Sequence, residues 1–198
     1  MNREKPNPRI PAHEVDAIFT DRWSPRSFLE KELTDDQVFT LFEAVRWAPS
    51  CYNDQPWHFR YARNKGDREL FAQALVEKNR LWAMRAPLLI YVSARLHFGG
   101  GSKPNRHGQF DAGAAWMSLA LQARRLGLYA HAMAGFDVKK AHALLNLSED
   151  EYEVMAAIAV GYRGSASMLT EDLAAMEIPN GRKTYDEVVG EGAVQAKE

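Results

Sequence analysis

Apolar residues recur along the chain with two periods, one helical and one alternating. Val15, Ile18 and Phe19 have helical spacing and predict a short first helix. The stretch Arg22-Trp-Ser-Pro-Arg-Ser-Phe28 breaks it, because Pro25 disfavours helix at Ser24. Thr34-Asp-Asp-Gln37 fits a capping box, and Val38, Leu41, Phe42 and Val45 follow at i, i+3, i+4 and i+7. They predict a second helix, which Pro49 ends. Trp57, Phe59 and Tyr61 alternate with His58 and Arg60, as in a half-buried strand. Asp67 to Arg85 reads as helix, with Leu70, Phe71, Ala74 and Leu75 on one side. Leu88 to Ala94 is apolar on both faces and predicts a central strand. Gln109 to Leu126 is a long Ala- and Leu-rich helix whose C-terminal cap suits Gly127. Leu128 to Met133 and Val154 to Tyr162 predict two more strands, separated by a helix after Asp137. The last thirty residues read as irregular, with a short strand near Thr184 to Val189.

This order describes a mixed α/β layer structure, with helices covering a sheet of four or five strands. The length of 198 residues sets the expectation of one domain spanning residues 1–198, at about 150 residues per domain. With 46% hydrophobic and 26% charged residues, a packed globular chain is expected rather than a disordered or fibrous one. A net charge of −1 argues against nucleic acid as the main partner. The apolar run Ala86 to Ala94 falls far short of the roughly 18 residues of a membrane span. The polar N-terminal stretch carries no secretory signal, so a cytoplasmic location is expected. Cys51 alone makes neither a disulfide framework nor a Cys-rich metal cluster. The six histidines show no metal-ligand spacing with a partner carboxylate, and neither G-x-G-x-x-G nor the Walker phosphate loop is present.

Three segments retain chemical interest. Arg22-Trp-Ser-Pro-Arg26 places two guanidinium groups and a hydroxyl in a non-helical stretch; it reads equally as a phosphate site or a solvated loop. Ala48-Pro-Ser-Cys-Tyr-Asn-Asp-Gln-Pro-Trp57 is a loop stiffened by two prolines, able to present fixed hydrogen bonds to a flat polar ligand. Composition alone makes it an ordinary helix-to-strand connection. Residues 148 to 198 hold 11 acidic and 4 basic residues, yet Arg182 and Lys183 stand together after Gly181. That pair either solubilises the tail or closes the phosphate site begun by Arg22.

Together with the Asp111 to Gly127 helix, Ala132-Met-Ala-Gly-Phe-Asp137 and Val160-Gly-Tyr-Arg-Gly164, these segments resemble the FMN-dependent nitroreductase family, in the family's order. The resemblance spans about Val15 to Val189. It implies an α+β fold, a nitroreductase-like three-layer αβα sandwich whose four- to five-stranded sheet is mixed but mainly antiparallel. It also implies a homodimer with FMN at the subunit interface. NADH or NADPH would reduce the flavin, which would then reduce a small-molecule acceptor such as a nitroaromatic or quinone in a ping-pong cycle. Arg22 and Ser24 match contacts to the FMN phosphate and ribityl chain. Arg26 matches a cation near the flavin N1 and O2 edge, where reduction builds negative charge. Pro49, Ser50, Cys51 and Asn53 match a loop reaching the partner's flavin. Ala134 and Gly135 match the turn whose N–H faces flavin N5, and Arg182 with Lys183 matches a second phosphate contact. No residue stands out as a general acid. The same fold and cofactor also serve dehydrogenation, dehalogenation or flavin fragmentation, and non-catalytic flavin binding is a further alternative.

Overall fold

The structure, a computed structural model, describes residues 7–193. Residues 1–6 of the polar N-terminal stretch, and the last five residues, lie outside that range. Helix α1 (Ala17–Asp21) is short and capped by the Asp16 carboxylate. Helix α2 (Asp35–Arg46) begins at the expected capping box, with Thr34 and Gln37 each accepting the other's backbone N–H. Strand β1 (Trp57–Ala62) leads to α3 (Lys65–Ala72), α4 (Glu77–Ala83) and strand β2 (Leu88–Arg95). Then follow α5 (Gly108–Arg125), β3 (Tyr129–Met133), α6 (Val138–Leu145) and β4 (Tyr152–Gly161). Two short helices, α7 (Glu171–Ala175) and α8 (Tyr185–Val188), lie in the C-terminal segment.

The strands form one sheet in the order β1-β2-β4-β3, with every neighbouring pair antiparallel. The expected admixture of parallel pairing is absent among the described residues. Alternation along β2 decides the layering. Leu88, Ile90 and Val92 pack with Val38, Leu41 and Val45 of α2 and Ala112, Ala115 and Leu119 of α5. Leu89 and Tyr91 face the other way, onto Phe28, Trp82, Ala141 and Leu145. Helices therefore cover both faces, as the α+β sandwich requires.

Two expectations need correction. The single helix over Asp67 to Arg85 is two helices. Between them, Val76 N–H donates to the Gly135 carbonyl and Asp137 N–H to the Ala74 carbonyl. This ladder, with a bridge between Leu75 and Phe136, takes the backbone of residues 74–76 away from the helix. The fifth strand near Thr184 to Val189 is instead α8. Thr184 and Glu187 form a capping box there, which overrides the strand preference of Thr, Tyr and Val.

Candidate functional site

Residues 22–28 run extended, and their burial alternates. Trp23, Pro25 and Ser27 turn inward, while Arg22, Ser24 and Arg26 remain half-exposed in a row on the open side. Two groups, one buried and one partly buried, fix this row from behind. Glu177 is 4% exposed, and its carboxylate accepts the Arg26 N–H at 2.9 and 3.1 Å and the Ser27 N–H at 3.0 Å. His131, on β3, holds the Pro25 carbonyl at 2.9 Å from Nδ1. A carbonyl only accepts, so Nδ1 carries the proton. Burial lowers the His131 pKa to about 4, aided by the Arg26 charge and opposed by the Pro25 and Ser24 backbone. The ring is neutral at pH 7 and rests on Trp82, with centroids 4.6 Å apart.

The Arg22 end of the row meets two other segments. Arg9 donates from Nη1 to the Thr20 and Arg22 carbonyls at 3.0 and 2.7 Å, and from Nε to Asn180 O at 2.8 Å. Burial lowers the Arg22 pKa, and the nearby Arg182 charge lowers it further. Arg182 and Lys183 are exposed. On the inward side of the loop, Trp23, Arg124, Tyr129, Ser165 and Glu177 line a cleft of about 620 Å³, which the row itself does not line.

Three residues beyond His131, the chain turns at Ala134 and Gly135. Asn79 of α4 donates its side-chain amide to the Gly135 carbonyl at 3.0 Å, beside the Val76 ladder bond. Among the described residues, neither Ala134 N–H nor Gly135 N–H finds an acceptor. A Cβ on Gly135 would stand 2.6 Å from Asn79 Nδ2 and 3.0 Å from Val76 Cγ2, so any side chain there would displace the Asn79 amide from its bond.

The loop after Pro49 is built separately. Tyr52, Asn53 and Gln55 have φ of 53°, 55° and 49°, left-handed values that non-glycine residues seldom adopt, with Asp54 right-handed between them. Asp111 of α5, 3% exposed, accepts the Cys51 N–H at 3.1 Å. Ser50 Oγ accepts from Gln55 N–H at 3.0 Å. The Asp54 side chain is only 8% exposed, and its desolvation raises the pKa. The Gly99 N–H, Arg95 and Asn105 outweigh that effect and hold the carboxyl below its usual range. No hydrogen bond or ion pair among the described residues joins Pro49, Ser50, Cys51 or Asn53 to the Arg22 row or to the Ala134–Gly135 turn.

Of the residues selected from sequence, Arg22, Ser24 and Arg26 share one loop, the Arg182 charge reaches Arg22, and His131, three residues before Ala134, bonds to that loop. The 49–53 loop stands apart. Arg9, Asn79, His131 and Glu177 carry no local signal in the sequence, because their partners lie far away along the chain.

Comparison with known proteins bears on this geometry. The model of the nitroreductase family matches residues 19–81 and 62–162. A Streptomyces coelicolor protein whose name carries the words NADH dehydrogenase/NAD(P)H nitroreductase is 31% identical over 160 residues, covering 69% of this chain and 77% of that protein. A solved oxidoreductase described as containing FMN is 37% identical with a TM-score of 0.90, covering 98% of this chain and 100% of its own. A gut-bacterial enone reductase shares the fold at 20% identity and a TM-score of 0.69, over 86% of this chain and 92% of its own. The chain belongs to the nitroreductase family.

Proposed function

We propose that the chain is a single-domain, cytoplasmic FMN-dependent oxidoreductase, acting as a homodimer. It would take hydride from NADPH or NADH and reduce a nitroaromatic, a quinone or a related small acceptor by a ping-pong cycle. The observation that carries this reading is the row of Arg22, Ser24 and Arg26 on the open side of one loop, with Arg182 in electrostatic reach of Arg22. Among the described residues, none of these arginines forms an ion pair with a carboxylate. Such a group fits a phosphate, which a guanidinium binds with paired charge-assisted hydrogen bonds. FMN, the cofactor in the description of the 37%-identical neighbour, carries one.

When bound, FMN supplies the two-electron chemistry between nicotinamide and acceptor. The chain's own residues bind and polarise. Arg22 and Arg182 hold the phosphate, with Lys183 beside them, and Ser24 offers a hydroxyl to the ribityl chain. Arg26 supplies a positive charge from a loop whose backbone Glu177 and His131 hold. The N–H groups of Ala134 and Gly135, which find no acceptor among the described residues, are donors that a flavin ring could use. His131 is neutral and enclosed, so the positive charge of the row belongs to the arginines.

The separate 49–53 loop supports the dimer. Among the described residues no hydrogen bond or ion pair joins it to its own chain's Arg22 row, and exposed apolar side chains lie on it and on the helices before and after it. Tyr52 is 89% exposed, Trp47 78% and Phe110 79%, with Phe39 and Met117 also exposed on α2 and α5. Large apolar side chains left this exposed are candidates for an interaction surface. A second copy would cover it and bring Pro49, Ser50, Cys51 and Asn53 to a neighbouring flavin. Among the described residues, no helix is long and apolar enough to cross a membrane. NAD(P)H as donor fits a cytoplasmic enzyme.

Steady-state oxidation of NADPH and NADH by the FMN-loaded protein, with and without menadione or nitrofurazone, tests the proposal. Acceptor-dependent oxidation is expected. A flavin-loaded protein that oxidises neither nicotinamide with any acceptor would be a binding protein instead.

A further inference from the structure

We propose that Arg9 is a third guanidinium of the phosphate site, binding the anion through its charge and clasping together the two chain segments that carry Arg22 and Arg182. The inference rests on the phosphate reading of Arg22 and Arg182 given above.

Arg9 lies 171 residues from Asn180, yet it donates to that carbonyl at 2.8 Å. The same guanidinium donates to the carbonyls of Thr20 and Arg22 at 3.0 and 2.7 Å. One planar group thus fixes the backbone of Arg22 and the backbone two residues before Arg182. Its Nη2 has no partner among the described residues. Asp21, an acidic neighbour along the chain, accepts the Asn7 amide at 3.1 Å and makes no ion pair with Arg9 or Arg22 among the described residues. No ion pair to a carboxylate is made by Arg9, Arg22 or Arg182 among the described residues. Burial lowers the pKa of Arg9, and the charges of Arg182 and Arg22 lower it further, so these three cations crowd one another. Grouped like charges raise the free energy of the ligand-free chain, and an anion placed among them relieves it. A phosphate monoester, with up to two negative charges, is the ligand class that matches three guanidinium groups.

The test compares dissociation constants for FMN and riboflavin, measured by quenching of flavin fluorescence on the full-length chain. Arg9→Ala should weaken FMN binding at least about 10-fold and riboflavin binding less than about 2-fold, since riboflavin lacks the phosphate. Arg9→Gln, which retains an amide donor for the carbonyls but no charge, should show the same selective loss. It keeps the test valid if the Ala variant does not fold. Equal losses for both flavins would make Arg9 structural only, and an unchanged FMN affinity would remove it from the site. A wild-type chain that binds FMN no better than riboflavin would instead overturn the phosphate reading itself.

Discussion

Replacement of Glu177 isolates what holds the candidate site in shape. Its carboxylate is buried and makes three N···O contacts, of 2.9, 3.1 and 3.0 Å, to two backbone N–H groups at Arg26 and Ser27. Glu177→Ala leaves both donors without their acceptor. The Ser27 N–H is buried, and an orphaned buried donor costs about 1–3 kcal/mol. The Arg26 N–H is partly buried and regains some water, so it adds about 1 kcal/mol. Relief from burying a carboxylate offsets part of this, which leaves a net loss of about 2–3 kcal/mol. Glu177→Gln behaves differently. Its oxygen, in the place of Oε1, still accepts from both N–H groups, but an amide NH2 replaces Oε2 opposite the Arg26 N–H. That change should cost about 1 kcal/mol, the loss of one charge-assisted bond. Urea unfolding of the full-length chain without flavin gives both values by linear extrapolation. FMN affinity should fall in the same order, because the same loop carries Arg22 and Arg26. Losses below about 0.5 kcal/mol in both variants, or a Gln variant no better than Ala, would refute the clasp.

Three further outcomes follow from the same geometry. Because the His131 pKa lies near 4 in the fold against about 6.5 unfolded, the unfolded chain binds more protons between those values. Stability should therefore be full above about pH 6.5 and fall by up to roughly 3 kcal/mol as pH drops towards 4. Urea melts across that range should show a shallower pH dependence for His131→Gln, and identical slopes would contradict the assignment. Arg22→Ala and Arg182→Ala should each weaken FMN binding by about 10- to 150-fold, corresponding to about 1.5–3 kcal/mol, with riboflavin affected much less. The exposed Arg182 should fall at the lower end, and a parallel loss of both flavins would place these arginines elsewhere on the cofactor. A ligand that binds only the dimer stabilises it by mass action, so the apoprotein should dissociate at a higher protein concentration than the holoprotein. Analytical ultracentrifugation across dilution measures this, and a monomer that keeps full FMN affinity would mean that the 49–53 loop does not serve a partner.

Much of the fold was legible because its signals are local. The capping box at Thr34, the i, i+3, i+4, i+7 stripe of α2 and the two-faced apolar run of β2 each lie within a few residues. The break between α3 and α4 was not legible, since it depends on pairing of residues 74–76 with 135–137. The short helix α8 differs from the strand expected near Thr184 to Val189 because the Thr184–Glu187 capping box sets the local backbone against the strand propensity of Thr, Tyr and Val. The same division runs through the site. Arg22, Ser24 and Arg26 form a motif in one stretch, and their alternation in and out follows from extended backbone. Glu177 and His131 act on that stretch from 151 and 106 residues away, through bonds to backbone atoms that leave no residue pattern. Arg9 is similar: its partners are carbonyls, which every residue possesses.

The central claim is that these elements hold a flavin that nicotinamide reduces. Anaerobic stopped-flow mixing of the purified FMN-loaded protein with NADPH or NADH, followed at the flavin absorption band, tests it in one measurement. The account predicts about one FMN per chain, bleached in a single turnover by at least one nicotinamide and restored by an added quinone or nitroaromatic. A protein that takes up no flavin, or whose bound flavin keeps its absorbance with both nicotinamides, would contradict it.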